Sequence, residues 1–584
     1  MIMKESKYIL LVFWLTVISL TGQLTMSGRS PVDGTGIPWS HGFGLPKPPG
    51  PGETIRLFSD RSVYGVGEGI HFAASYRPPT GFGERGWSTV LYVELVQWDG
   101  ASLAQTKTCI EDNLASGILE IPPGIPSGYY YLKAYTRWMR NYSPGEYRYL
   151  AVKVVNPRDK AVVRGPENPG VAGVAGQPVE SESTGAIKIS GLREHYGRRE
   201  AVEFQLGLTD PFQKGTYCIS VAKTASACSD FTKGFRAAGT GEPVSNGVEY
   251  LPEISGHSLS GQVLGEDGSP VPDTRVQLST YATPLLYSEV VTGNDGTFLF
   301  NLPRGHTSPE LHIAETSGSG QEHRVLLSTE YCNRPLTLPY IPFRLEERET
   351  RVVREIILNA QLRERFAGAA GPMPATAGHE QPFYGGNAQV IRLGDFIELR
   401  DIRECIREII PGVSVRTRDG KSGLVVHGPN CQEFYPPLVL MDNIPVPNDD
   451  RLLNIPGNRI ERIEVVGSGY MVGNFRYSGI FSIFSRERDM AGISLEGDHH
   501  FFNYGLIQER DGPCMACQAT TGGKTLPDIR NLLLWEPAVR MDPAFPLKIS
   551  FITSDAGGEY VVSVRRLEPA GPSGCAGQAV FYVE

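Results

Sequence analysis

The sequence predicts a mainly β, multidomain chain in which tandem β-sandwiches lead into one small α/β module. Three observations carry that expectation. Glycine (67) and proline (44) are abundant among the 584 residues while charged residues make up only 20%, a balance of many turns and short strands. Apolar residues alternate with period two over much of the chain. One stretch, 382–486, breaks the alternation with a helical spacing and short continuous apolar runs. The length suits about four domains, each able to bury its own core. Net charge is −9 without an acidic tract, which argues against nucleic-acid or polybasic membrane-surface binding.

Lys4 and Lys7 precede the apolar run Ile9 to Leu20. A run this short after positive charge suits a secretory signal over 1–23; a membrane span needs about 20 apolar residues. The alternative is a buried N-terminal strand. Cleavage is expected near Thr21-Gly22-Gln23, where no cysteine offers a lipoprotein anchor. The leader 24–52, ending Pro46-Lys-Pro-Pro-Gly-Pro-Gly52, reads as flexible or polyproline-like. No later stretch is long and apolar enough for a spanning helix.

A β-rich module follows over 53–157, with alternating pairs at Ile55 and Leu57, Ile70 and Phe72, Leu91 and Val93, and Leu150 and Val152. Asp60-Arg-Ser-Val-Tyr64-Gly-Val-Gly-Glu68 together with Gly128-Tyr-Tyr-Tyr-Leu-Lys-Ala-Tyr135 resembles the macroglobulin-like β-sandwich. The pattern Tyr64-Gly-x-x-Glu68-x-Ile70-x-Phe72 returns as Tyr196-Gly-x-x-Glu200-x-Val202-x-Phe204. A second macroglobulin-like sandwich is therefore expected over 186–250, after a linker at 158–185. The bland alternative is a common turn before a strand.

The stretch 256–335 holds Asp267-Gly268 and Asp295-Gly296, read as hairpin turns between alternating strands. With Leu259-Ser-Gly261 and Thr297-Phe298-Leu-Phe300, it resembles the carboxypeptidase regulatory-like (transthyretin-like) domain, a β-sandwich adaptor that carries no peptidase residues. Val352, Val353, Ile356, Ile357 and Leu362 recur at helical spacing, so 340–376 is expected to be a helical linker.

In 380–488, Ile402, Cys405, Ile406, Ile409 and Ile410 mark a helix that Pro411-Gly412 stops. Leu438 to Met441 suits a strand buried on both faces. Ile460, Ile463 and Val465 suit a helical turn entering a strand, and Ile480 to Phe484 a closing strand. The order Pro411-Gly-Val413, Leu438-Val-Leu-Met-Asp-Asn443, Arg459-Ile-Glu-Arg-Ile-Glu-Val-Val466 and Gly479-Ile-Phe-Ser-Ile483 resembles the plug domain of TonB-dependent outer-membrane receptors. Asn443 stands in place of that family's turn glycine, a role that a residue tolerant of the left-handed region can fill. A receptor barrel needs about 22 strands of roughly 10 residues. The stretch from 487 to 584 is too short for one, so the chain is not expected to transport by itself. In Bacteroidetes-type bacteria the regulatory-like domain commonly precedes such a plug, as the order here does. The region 489–584 is expected to be a C-terminal β-strand segment. There Asp528-Ile-Arg-Asn-Leu-Leu-Leu-Trp535 and Glu559-Tyr-Val-Val-Ser-Val564 resemble the closing strands of macroglobulin-like proteins, with Pro546 where the family expects the turn glycine.

Searches for chemistry return little. Cys514-Met-Ala-Cys517 supplies half a tetrahedral zinc site, but no second pair exists and a loop disulfide or two thiols is the favoured reading. His499 and His500, being adjacent, face opposite sides of a strand and read as surface residues. Asn448-Asp449-Asp450 lacks the spacing of a calcium loop. Ser220-Val-Ala-Lys223 matches S-x-x-K without its companion motifs. The macroglobulin thioester motif is absent, since Cys431-Gln-Glu433 has the wrong order. The nine cysteines are an odd number, so at least one is unpaired or paired between chains; Cys218 and Cys228 could close a short loop, and most suit small buried apolar positions. The expectation is no enzyme, no cofactor and no metal.

The leading reading is an exported, non-enzymatic scaffold or adaptor that docks protein partners, a β-barrel protein among them, at the Gram-negative outer membrane. It would sit in the periplasm, at the outer membrane or at the cell surface, held by partners and not by a transmembrane helix. The expected contact residues lie in two loops: Asp442, Asn443, Asn448, Asp449 and Asp450, and Tyr470, Phe475 and Tyr477. The alternative is a module binding a peptide, glycan or siderophore-like ligand for uptake. Trp87, Trp98, Tyr129 to Tyr131, Trp138 and Tyr142 would then form a stacking surface, against the plainer reading of core packing.

Overall fold

In the computed structural model the described residues are 52–79, 87–166, 181–184, 187–223, 248–281, 285–304, 306, 310–315, 323–334, 336–366, 382–418, 420–432, 434–495, 499–505, 514–515, 520–521, 524–525, 528–568 and 573–584. The expected signal and leader lie outside them, apart from Gly52. The alternating stretch after Gly52 forms β1 (Thr54–Ser59), β2 (Val63–Gly65), β3 (Gly69–Arg77), β4 (Val90–Val96), β5 (Ser102–Cys109), β6 (Leu114–Glu120), β7 (Gly128–Tyr135) and β8 (Arg148–Val155). They make two sheets, β1-β3-β6 and β2-β8-β7-β4-β5, and β2 runs parallel to β8. Leu57, Phe72, Val93, Leu132 and Leu150 fill the space between and are at most 1% exposed. Asp112 and Asn113 turn β5 into β6 with φ of 50° and 64°, the left-handed pair that a tight hairpin requires.

The second sandwich starts with β9 (Ser181–Thr184), β10 (Ile187–Ser190), β11 (His195–Tyr196), β12 (Ala201–Leu208) and β13 (Gly215–Lys223), and then stops half built. The chain next lays down a third sandwich from β14 (Gly256–Leu264), β15 (Arg275–Thr280), β16 (Tyr287–Val291), β17 (Thr297–Pro303), β18 (Glu310–Glu315) and β19 (Arg324–Leu327). Helix α1 (Glu347–Phe366) leads to the α/β module: β20 (Gln389–Arg392), α2 (Ile402–Glu408), β21 (Val413–Arg418), β22 (Lys421–Val426), β23 (Leu438–Met441), β24 (Ile444–Pro445), α3 (Asp450–Leu453), β25 (Ile460–Val466), β26 (Tyr470–Val472), β27 (Phe475–Tyr477) and β28 (Ile480–Ser485). After β29 (His499–Asn503) and the short β30 (Cys514–Met515), β31 (Thr520–Thr521) and β32 (Lys524–Thr525) come β33 (Leu532–Met541), β34 (Leu547–Ile552), β35 (Gly558–Arg566) and β36 (Ser573–Val583).

Those last four strands complete the second sandwich. Its sheets are β10-β12-β34 and β11-β36-β35-β13-β33, with β30 beyond β33 and β9 on β36. Strand for strand this is the first sandwich again, with β10 to β13 in the places of β1 to β4 and β33 to β36 in those of β5 to β8. Sequence reading placed 186–250 and 489–584 in separate modules; the structure makes them halves of one. The physical reason is β13, a central strand with β33 on one edge and β35 on the other, so the N-terminal half alone leaves both edges bare. Everything between β13 and β33 is thus an insertion, placed where the first sandwich has only the turn Gln97 to Ala101.

The repeated Tyr-Gly-x-x-Glu motif has one structure in both copies. Gly65 N–H donates to Glu68 Oε2 at 2.8 Å and Gly197 N–H to Glu200 Oε2 at 2.6 Å. The Tyr64 hydroxyl accepts from Arg61 N–H, and Tyr196 from Arg193 N–H. The Arg61 and Arg193 guanidinium groups lie 4.7 and 4.3 Å from the respective Tyr rings. A second correspondence went unread in the sequence. Tyr130 in β7 donates to Pro126 O and Tyr560 in β35 to Ala556 O, each bonding four residues back to fix a corner.

The third sandwich has sheets β17-β14-β19 and β16-β15-β18-β29, so the strand that carries His499 and His500 packs here. Its two Asp-Gly turns are built alike: Gly268 and Gly296 have φ of 78° and 72°, and Asp267 and Asp295 accept from Ser269 and Thr297. Each turn pairs its flanks as a hairpin does, Gly265 N–H donating to Ser269 O and Gly293 N–H to Thr297 O, and then sends its two strands to opposite sheets. Helix α1 sits between the first two sandwiches. Glu349 binds Lys153 at 2.6 Å, Glu355 binds Lys223 at 2.6 Å, and Asn359 donates to Asn531. Among the described residues no helix is long and apolar enough to cross a membrane.

Candidate partner-docking site

The α/β module has a five-stranded sheet, β20-β25-β28-β23-β24, in which β23 and β28 run parallel. Alternation decides what covers each face. Val439 and Met441 point into the core that holds Ile402, Cys405 and Ile406 of α2 and Leu452 and Leu453 of α3. Leu438 and Leu440 point the other way, into a cluster with Tyr287 of the third sandwich. All four are buried, as a strand covered on both faces must be. Asp401 caps α2 by accepting from Glu404 N–H at 2.9 Å. The helical turn expected at Ile460 lies just before it, at Gly457–Arg459, and β25 starts at Ile460.

Several residues expected to contact a partner contact this chain instead. Asn443, 1% exposed with φ 66°, donates through Nδ2 to Thr280 O at 2.5 Å and Leu286 O at 3.1 Å in the third sandwich. Tyr477, 5% exposed, hydrogen-bonds Glu289 and Arg275 across the same interface. The Arg275 guanidinium lies 4.3 Å from the Phe475 ring centre, and Tyr470 packs beside Phe383. Asp442 is buried and accepts from Ser485 N–H, Ser485 Oγ–H and Met490 N–H, holding the chain that leaves β28. These side chains therefore build the module's seat on the third sandwich or its own frame, and the inward-facing ones are not a free surface.

The acidic turn has local duties too. Asn448 exchanges two bonds with the backbone of Leu424, Asp449 caps α3, and Asp450 binds Arg403 at 2.6 Å. The Arg403 partner and the Ser422 N–H hold the Asp450 carboxyl below its usual range, led by the backbone bond. Asp449 and Asp450 do reach the surface, at the edge of α3.

On the helix-bearing side a cleft of about 290 Å³ is open to solvent. Leu393, Leu399 and Ile409 form its floor as they join the core under α2, and Phe396 and Ile397 form its rim. Ile397 is 83% exposed and Phe396 46%. Gly457 lets the backbone close on this wall, since a Cβ there would meet Leu399 O at 2.4 Å. Arg486 donates from Nε to Asn458 O at 2.7 Å and gives the rim a cation. The sequence Leu393-Gly-Asp-Phe-Ile-Glu-Leu399 reads like any half-buried segment; nothing in it marks Phe396 and Ile397 as the side facing water.

The ionisable clusters lie at module contacts. Lys107 is ion-paired with Glu330, whose other oxygen is 2.8 Å from His257 Nε2, and all three are at most 5% exposed. Burial pulls the Lys107 ammonium down against the pull of Glu330. Glu53 accepts from Tyr76 OH at 2.7 Å and Ser88 Oγ at 2.6 Å, and burial pushes its carboxyl up to about 7. Ser220 and Lys223 of the S-x-x-K match bind Asp60 O and Glu355 between sandwiches. His499 stacks on His312, half-buried in the third sandwich, which corrects its reading as a surface residue. Among the described residues no three metal-ligating side chains gather. Cys517, Cys228 and the side chain of Cys514 lie outside the described residues. Cys332, Cys405 and Cys431 are free thiols.

The proposed stacking aromatics mostly pack inward. Tyr130, Tyr131, Trp138 and Tyr142 are at most 7% exposed, and Trp98 meets Tyr340 edge to face.

The fold thus defines a class: a mainly β, multidomain chain of sandwiches bearing one α/β module. No protein-family model matches the sequence, and no curated protein matches it. Solved structures similar to it include Escherichia coli alpha-2-macroglobulin activated by porcine elastase, at 9% identity and a TM-score of 0.22, covering 91% of this chain and 44% of that one. The native conformation of the E. coli protein gives 9% and 0.22, covering 93% and 40%. The BSP domain of a biofilm associated protein gives 9% and 0.12, covering 49% and 30%. This chain spans less than half the length of those macroglobulins.

Proposed function

We propose that this chain is a non-enzymatic, exported scaffold of the Gram-negative envelope, and that its α/β module docks an outer-membrane protein through the cleft at Phe396 and Ile397. One observation carries the reading. The module's sheet has one face taken by the chain's own third sandwich, while the helix-bearing side presents an apolar cleft whose most prominent side chain is 83% exposed. A large exposed apolar side chain over a pocket is the anatomy of a docking hot spot. Because Asn443 and Tyr477 are committed to the third sandwich, the module works seated there, outside a barrel, and a barrel protein is met at its surface. The test is a photocrosslinker at position 397 in intact envelopes. An adduct with a defined outer-membrane protein, lost when Leu393→Asp closes the cleft to apolar side chains, is expected. No adduct at 397, beside an efficient one at a control position such as 390, would overturn the docking site.

A further inference from the structure

We infer that the second sandwich carries a lipid-contacting tip, formed by Phe212 and Phe545 on two adjoining turns. Phe212 is 89% exposed and Phe545 76%. Phe212 lies in the β12–β13 connection and Phe545 in the β33–β34 connection. The register Gly215↔Met541 puts those connections side by side at one end of the sandwich, and Lys214 and Asp542, next in line, join them by a 2.7 Å ion pair.

Both turns are built to hold the ring out. Asp210 accepts from Phe212 N–H at 2.9 Å, with Pro211 between them. Asp542 accepts from Ala544 N–H at 3.0 Å, its carbonyl accepts from Phe545 N–H, and prolines occupy positions 543 and 546. Proline and a capping aspartate leave such turns little freedom, so the rings are presented instead of folding back.

The first sandwich provides an internal control. Its matching β5–β6 turn has the same strands on either side and carries Asp112 and Asn113. The fold needs only a tight polar turn there, so the phenylalanine of the second copy is not architectural.

The geometry favours a lipid surface over a protein pocket. The rings are convex points on separate turns, not the wall of a groove; at the tip Lys214 and Asp542 pair with each other, and Asp210 turns its carboxylate onto Phe212 N–H. A paired aromatic tip of low charge suits the interfacial region of a bilayer, where rings rest among headgroups. With a net charge of −9 the chain gains nothing from anionic lipid, so zwitterionic vesicles are the natural target.

The test uses the purified chain and protein-free phosphatidylcholine–phosphatidylethanolamine vesicles, so its outcome is independent of any partner at the cleft. Wild type is expected to co-sediment with the vesicles, with little change between low and high salt. Phe212→Ser and Phe545→Ser should each lower partitioning about tenfold, and the double variant should remain in the supernatant with its melting temperature intact. Phe545→Trp should shift its emission to the blue on adding vesicles. A wild-type chain that stays in the supernatant, a double variant that sediments like wild type, or a substitution that changes only self-association would overturn the inference, the last assigning the tip to a protein contact.

Discussion

Asn443 shows how much a single residue does that its sequence position half reveals. The left-handed turn was legible, because an asparagine in the place of a turn glycine keeps a positive φ. Its two bonds to Thr280 O and Leu286 O were not, since they join positions far apart in sequence. Asn443→Gly keeps the turn and removes both bonds, and is expected to weaken the seat on the third sandwich by about 1–3 kcal/mol, read by denaturation and by hydrogen exchange at Thr280 and Leu286. Glu330 is a harsher case. Glu330→Gln strands the Lys107 ammonium in the interface and should cost about 3–5 kcal/mol, most of it recovered by adding Lys107→Met. At Glu53 the sign follows from a carboxyl raised from 4.5 to about 7 in the folded chain. The folded state then holds the proton more tightly, so the stabilisation is fully present below pH 4.5 and is lost as pH rises through 7. Glu53→Gln should gain about 3 kcal/mol relative to wild type between pH 4.5 and pH 8, measured by urea denaturation at both.

Among the elements, those with a local signal were readable. Alternation gave the strands, the i, i+3, i+4 spacing gave α1 and α2, and the repeated Tyr-Gly-x-x-Glu motif disclosed a second sandwich. Pairing partners were not readable. Nothing near β13 says that β33 and β35 will flank it, because a strand's apolar pattern specifies its faces and leaves its edges unaddressed. The cleft escaped for a related reason: Phe396 and Ile397 have the same composition whether they face core or water. The repeat also yields a comparison. Glu68 is buried and also accepts from Asn531 at 2.7 Å, whereas Glu200 stands near the surface. Glu68→Ala should cost about 3 kcal/mol by leaving the buried Arg61 with only Asp60, at 3.6 Å, as its counter-charge, and Glu200→Ala should cost far less, by chemical denaturation of each variant.

Across the whole molecule the modules complete one another. Cys332 and Leu338, from the chain after the third sandwich, join the core of the first, and Leu338 N–H donates to Trp98 O. Phe58, Cys218, Trp535 and Leu567 form an apolar cluster shared by the first two sandwiches. Heat or denaturant is therefore expected to unfold these two sandwiches in one transition, with near-ultraviolet signals of Trp98 and Trp535 lost together; two resolved steps would count against that coupling. The split of the second sandwich also bears on how the protein is made. A chain emerging from its N-terminus delivers β13 long before β33 to β36 exist, so a sheet with two open edges must wait through the synthesis of the entire insertion. The delay itself costs little in loop entropy, about 0.6 kcal/mol per doubling of length, but it leaves a bare β template in solution. Closure of the second sandwich is thus timed by the arrival of β33 to β36, and a chain cut short ahead of them keeps both edges of β13 open.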